Sequence, residues 1–313
     1  MLNRYIQKAV DVLQNVQKSD WYISREMNCR MEQLERMYPG CRNIVGINRE
    51  FRDIHKGRRG FVLGNGPSLN SIDFGRLSEE IVFTVNRLTM HEDFEKLRTN
   101  YHIIADLRCF GVGKPCREKG FTEHSLKQID SLRDKGNPIL FVPIQARPVL
   151  EGRRLGKGLN IRYWLPMGKY FTDGYRSNDL TKPVPAFWSV ISYAILFATY
   201  MGLEEIYLLG CDQTSLRDVL DTVLGNSMHE DHAYKGEEES HRVGYKKNFD
   251  ELGAKYYVNV ELQQQIGYEE LYYWCREKRI KLYNLSDPTL INVIPRKKFE
   301  DVIGIGGSQS GRS

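Results

Sequence analysis

Two stretches of this 313-residue chain carry residue types whose spacing suits chemistry. The first is Phe61-Val62-Leu63-Gly64-Asn65-Gly66-Pro67-Ser68-Leu69, an apolar run that breaks into glycine, asparagine, proline and serine. Glycine lets a backbone turn sharply and approach a ligand closely, and Pro67 fits the first turn of a helix, where its missing N–H costs nothing. N–H groups left over at such a helix start favour an anion. The spacing is neither the dinucleotide fingerprint G-x-G-x-x-G nor a P-loop, which ends in GK and Ser or Thr. A tight strand-to-helix turn without a ligand is the plain alternative.

The second stretch is His229-Glu230-Asp231-His232-Ala233-Tyr234. An imidazole here can take the proton of an acceptor hydroxyl, and a tyrosine can donate a hydrogen bond to a departing phosphate. On a helix His229 and His232 would share one side, as zinc ligands do, but no clear third ligand accompanies them and a metal is not expected. An exposed polar loop is the competing reading. Asp212 follows the apolar run Ile206-Tyr207-Leu208-Leu209-Gly210. It is placed to orient His232, to bind a divalent cation with a nucleotide, or only to cap the next helix.

These residues need elements to hold them. Apolar runs at 61–63, 81–85, 101–105, 139–143, 206–210 and 280–284 read as buried strands, each ending at a turn or polar residue. Helical periodicity marks 189–201 and 262–278, and a short helix is predicted from Leu69, Ile72, Phe74 and Leu77. Strands alternating with helices predict an α/β fold with a Rossmann-like, doubly wound, mainly parallel sheet. Ligands of such sheets bind outside the carboxyl ends of the strands. Gly64, Asn65, Asn86, Asp106, Gly210, Asp212 and Asn284 occupy those ends and are expected to share one cleft. Residues 1–39 read as two helices broken near Ser19-Asp20, giving a helical extension over 1–58, a catalytic domain over 59–302 and a flexible Gly- and Ser-rich tail over 303–313.

Charge and composition narrow the classes. The net charge of +5 is spread among 40 acidic residues, which favours a local anion site over a nucleic-acid surface. Six cysteines show no CxxC pairing and read as reduced thiols. The N-terminus lacks a secretory apolar core and no apolar stretch is long enough to cross a bilayer, so a cytoplasmic location is expected. Peripheral membrane contact and self-association stay open.

The block Gly64-Asn65-Gly66-Pro67-Ser68-Leu69, with Ile72-Asp73 and Asn86, resembles the opening of the bacterial lipooligosaccharide sialyltransferases. It also resembles the related hydroxymethylpterin-pyrophosphokinase-like domains of polysaccharide gene clusters. Met201-Gly202-Leu203-Glu204-Glu205-Ile206-Tyr207-Leu208-Leu209-Gly210-Cys211-Asp212 and Ile280-Lys281-Leu282-Tyr283-Asn284-Leu285-Ser286 resemble later signatures of the same family. The resemblance implies a sialyltransferase-type GT-A variant that transfers a sugar from a nucleotide donor to build a bacterial surface glycan, with a cytidine monophosphate (CMP)-linked nonulosonic acid as the donor. It implies donor contacts at Gly64, Asn65, Gly66, Pro67, Ser68, Asn86, Asp106, Ser189 and Gly210. Catalysis would fall to His232, Tyr234 and Asp212, with no metal required. Asp106 stands where the sialyltransferases carry asparagine, and Ser189 lacks the glycine that follows the family's serine.

Two rivals accompany this reading. A pterin-type pyrophosphokinase would need ATP and Mg²⁺, with Asp106 and Asp212 as ligands. A non-catalytic scaffold would keep the nucleotide fold without the chemistry.

Overall fold

The structure is a computed structural model that describes residues 20–113, 120–225, 232–233 and 238–304. Their strands are β1 (Arg59–Leu63), β2 (Ile81–Val85), β3 (Tyr101–Ile103), β4 (Ile139–Pro143), β5 (Ile161–Tyr170), β6 (Pro183–Ala186), β7 (Glu205–Leu209) and β8 (Lys281–Asn284). All belong to one sheet of order β6-β5-β4-β3-β2-β1-β7-β8, and every neighbouring pair is parallel. The chain is thus an α/β protein with a Rossmann-like sheet.

The α-helices, again among the described residues, are α1 (Asp20–Met37), α2 (Cys41–Gly46), α3 (Phe121–Ser131), α4 (Arg147–Gly152), α5 (Val190–Tyr200), α6 (Ser215–Leu224), α7 (Glu238–Glu277) and α8 (Phe299–Ile303). Gly253, at φ 70, interrupts the helical path of α7. Alternation along the strands divides the core. Val62, Phe83, Phe141 and Leu208 face a layer that includes α5, whereas Phe61, Leu63, Val82, Leu140 and Leu209 face the other. Because both faces are covered, the central strands read as continuous apolar runs.

The six strands expected from sequence all form. β5 and β6 were not expected. β5 holds Pro166 and Gly168 and shifts register between Pro166 and Tyr170, and β6 is the proline-containing edge strand Pro183-Val184-Pro185-Ala186. Proline lacks a ladder donor and hides such strands from pattern reading, yet an edge accommodates it. The helix predicted after Gly64 is instead a pair of 3₁₀ turns, Pro67–Ser71 and Phe74–Leu77.

The described part of the N-terminal extension packs on the β5 end of the sheet. The Arg30 guanidinium donates to Pro166 O at 3.1 Å, and buried Asn48 donates to Tyr163 O and Leu180 O at 2.8 and 3.0 Å. Phe51 joins the main core. The first predicted helix and the tail beyond 304 lie outside the described residues.

Candidate active site

The strand order places a topological switch between β1 and β7. From β1 the chain runs outward through β2 to β6, then returns to add β7 and β8 on the other flank of β1. Crevices outside the carboxyl ends of strands at such a switch are where ligands of open α/β sheets bind. β1 and β7 end in register, with Leu63 opposite Leu209. The glycines that follow are the two that were singled out in the sequence.

A cavity of about 250 Å³ opens at this point. It is lined by Gly64, Asn65, Gly66, Ser189, Gly210, Asp212 and His232, together with Val85 at the end of β2 and residues of α6 and α7. The glycines are required by packing. A Cβ on Gly64 would lie 2.3 Å from Gly210 O, one on Gly66 2.5 Å from Asp212 Cγ, and one on Gly210, itself at φ +62, 2.6 Å from Leu69 Cγ. The His232 segment is tied to the turn by Ala233 N–H, which donates to Asn65 O at 2.7 Å.

The turn does not present the row of free amides expected of an anion cradle. Gly64 N–H donates to Leu209 O and Gly66 N–H to Gly210 O, both at 2.8 Å, while Leu69 N–H bonds Gly66 O at 3.2 Å. Ser68 N–H donates to Asp212 Oδ2 at 2.8 Å and the Ser68 hydroxyl donates to Asp212 Oδ1. The Asn65 side-chain oxygen is buried without a protein partner, and the Asn65 backbone amide makes none of the turn's hydrogen bonds. Sequence reasoning placed the amides correctly at a strand end but could not see that β7 and Asp212 consume them.

Asp212 is accordingly a clamp. It is 2% exposed, and burial raises its carboxyl above the ordinary range, opposed by the two Ser68 hydrogen bonds and by the Arg217 charge. Its oxygens hold the 67–71 turn. The cap of the following helix considered from sequence is not what the geometry displays: both carboxylate oxygens hold Ser68 in the turn after β1.

Three expected strand-end residues are not among those lining the cavity. Asp106 caps the 3₁₀ turn Leu107–Phe110 and forms an ion pair with Arg108 at 2.6 Å. Asn284 is buried and holds its own loop, donating to Thr289 Oγ1 at 3.1 Å and accepting from Ser286 N–H at 3.0 Å. Asn86 adopts φ 50, and its carbonyl accepts from His102 Nε2 at 2.8 Å, while its side-chain oxygen is buried without a partner. Pro67 lines a neighbouring depression with Ser68 and Asp212. His229, Asp231 and Tyr234 lie outside the described residues.

Of the two carboxylates considered for a Mg²⁺–ATP site, Asp212 lines the cavity, whereas Asp106 is paired with Arg108 and is not among its lining residues. Among the described residues no group of three His, Cys, Asp or Glu side chains is arranged for a metal ion.

Sequence reasoning missed a polar wall. Ser189 Oγ and Tyr268 Oη lie 2.8 Å apart, Tyr268 donates to Gln213 Oε1 at 3.3 Å, and Gln213 Nε2 reaches Glu261 and Gln264 at 3.1 and 2.5 Å. Glu261, Gln264 and Tyr268 recur at helical spacings of three and four, which was the available signal. Gln213 is held at φ 58, a conformation that nonglycine residues adopt at a cost. Cys211, which also lines the cavity, is a buried thiol whose pKa is pushed up by that burial, and it is not a nucleophile candidate.

No family model matches the sequence, and no curated protein matches it. Among solved structures the chain is similar to the sialyltransferase CstII from Campylobacter jejuni, determined in complex with a substrate analogue, cytidine-5'-monophosphate. The match has 18% identity and a TM-score of 0.42 and covers 77% of this chain and 85% of that one.

Proposed function

We propose that this chain is a glycosyltransferase that passes a sugar from a nucleotide-activated donor to a glycan hydroxyl. The observation that carries the reading is the meeting of His232 with Asn65 and Gly66 in one cavity at the switch between β1 and β7. The donor class, a CMP-linked nonulosonic acid, comes from the sequence resemblance of the three blocks, as does the role in a bacterial surface glycan.

The acceptor hydroxyl oxygen attacks the anomeric carbon of the donor while His232 takes its proton. The bond from that carbon to the phosphate oxygen breaks, and the nucleotide leaves with the electron pair. Asn65, through its unpaired amide and side chain, is the turn's contact with the nucleotide. Asp212 acts indirectly, because its hold on Ser68 fixes the turn. No step is assigned to a metal.

Calorimetric titration with CMP and with ATP plus Mg²⁺, followed by a transfer assay with a CMP-linked donor, tests this reading. CMP should bind without Mg²⁺ and transfer should persist in a chelator. His232→Ala should cut transfer by about 10²- to 10⁴-fold while leaving CMP affinity within a few-fold. Stabilisation by ATP alone, and only with Mg²⁺, would overturn the assignment in favour of a pyrophosphokinase.

A further inference from the structure

Helix α6 is patterned in reverse of a helix that faces water. Its carboxylate Asp218 is buried at 1% exposure beside buried Val219, whereas Leu220, Val223 and Leu224 are exposed, Leu224 at 72%. Spacings of three and four residues put those three side chains on one stripe. A surface helix ordinarily turns such a stripe to the core and its charges to water.

α7, against which α6 packs, carries more of the same surface type. Val258 and Leu262, four residues apart, are 55 and 52% exposed, and Leu252 and Tyr256 are exposed as well. Seven of the fourteen exposed large apolar side chains among the described residues fall between Leu220 and Leu262. Singly scattered surface leucines need no explanation, but a concentration of this kind marks an interaction surface.

Charge selects the partner. Lys246, Lys247 and Lys255 of α7 are exposed and form no ion pair among the described residues, whereas the nearby acids Asp221 and Glu251 are already engaged within the chain. Exposed Asp250 offsets one of the three lysines. Lys255 lies three and seven residues before Val258 and Leu262, on their stripe. A second copy of the chain meeting this face across a two-fold axis would bring the same lysines toward one another. An anionic bilayer supplies phosphates to the lysines and acyl surface to the leucines. No helix among the described residues is long and apolar enough to cross a membrane, so the contact is one that lies on the surface.

We propose that the outer faces of α6 and α7, apolar and flanked by the three lysines, seat the chain on an anionic bilayer. This binding does not depend on the glycosyl-transfer reading. Ser215 and Asp218 of α6 and Gln264 of α7 line the cavity, and Leu262 stands two residues from Gln264, about 3 Å of helix rise. A seated chain therefore holds the cavity beside the bilayer.

Co-sedimentation of the full chain with vesicles tests the seat, using equal parts phosphatidylglycerol and phosphatidylethanolamine against phosphatidylcholine alone. The anionic vesicles should carry the chain down and the phosphatidylcholine vesicles should not, and raised salt should weaken the binding. Replacing Lys246, Lys247 and Lys255 together by Gln should weaken it about a hundredfold, each lysine being worth about fivefold at an anionic surface. The double variant Leu220→Ser, Leu224→Ser should lose at least about tenfold, and Ile54→Ser, an exposed apolar site outside both helices, should change nothing. Leu224→Trp should tighten binding, a gain that misfolding cannot imitate. Failure to bind the anionic vesicles, equal binding to phosphatidylcholine, or binding indifferent to both the lysine and the leucine variants would overturn the proposal. So would a dimer in solution that the double leucine variant abolishes while vesicles carry nothing down, which would assign the face to a second copy.

Discussion

The backbone N–H of Ala233 donates to the carbonyl of Asn65 across 168 positions of sequence, at 2.7 Å. This bond fastens the segment carrying the candidate base to the turn carrying the candidate nucleotide contact. It makes the position of His232 a property of the turn after β1 rather than of its own segment alone.

Ala233→Pro deletes that donor while the turn keeps its own hydrogen bonds. The loss is about 1 kcal/mol in stability, but misplacing a base by even an ångström costs far more in rate. Transfer should fall at least about tenfold in kcat with nucleotide affinity little changed. Steady-state kinetics beside a CMP titration will show this, and an unaltered kcat would detach His232 from the chemistry.

The glycines at the switch should not tolerate a methyl group. Gly64→Ala meets the Gly210 carbonyl and Gly210→Ala meets Leu69, so each should lose about 1–3 kcal/mol by urea unfolding. Gly152→Ala has nothing within 4 Å and serves as the control, with a change inside about 0.5 kcal/mol. Equal effects at all three sites would contradict the close approach of β1 and β7.

Asp212 gives a pH signature. Its carboxyl is raised on folding by burial, so the folded chain holds that proton more tightly than the unfolded chain does. The Asp212 contribution to stability is therefore largest below the ordinary carboxylate value of 3.8 and declines as pH rises toward the raised folded value. Asp212→Asn removes this slope, and the variant should gain on the wild type between pH 4 and 7. Denaturant unfolding at both ends of that range decides, and a gap moving the other way would refute the burial argument.

His102 gives the opposite signature. It is fully buried between Thr84 Oγ1 at 2.7 Å and Asn86 O at 2.8 Å, and burial pushes its imidazole down to about 4 from 6.5. The folded chain keeps it neutral, so its stability is present above 6.5 and is lost as pH falls from there to about 4, by up to about 3 kcal/mol. His102→Gln can keep both hydrogen bonds and does not titrate. Its unfolding free energy should be flatter with pH over that window, as paired thermal scans would reveal.

The sequence alone determined the strands whose signal is local. An apolar run that stops at Gly64, Asn86, Asp106, Gly210 or Asn284 points to both a buried strand and its end, because a strand buried on both faces is built mainly of apolar side chains and stops where the chain turns. The same locality located the 64–68 turn, and the glycines announced a close approach. What it could not state is what each strand end touches. Asp106 and Asn284 have the right residue type at the right kind of position, yet a local cap and a loop consume them. The turn's amides look free in one dimension, and only β7 and Asp212, more than 140 residues away, fill them. Pro166, Pro183 and Pro185 concealed two strands that an edge and a register shift make permissible. The wall of Gln213, Gln264 and Tyr268 exists only because α7 is laid against the switch, and polar residues on a helix carry no mark of which cavity they will line until the packing brings them there.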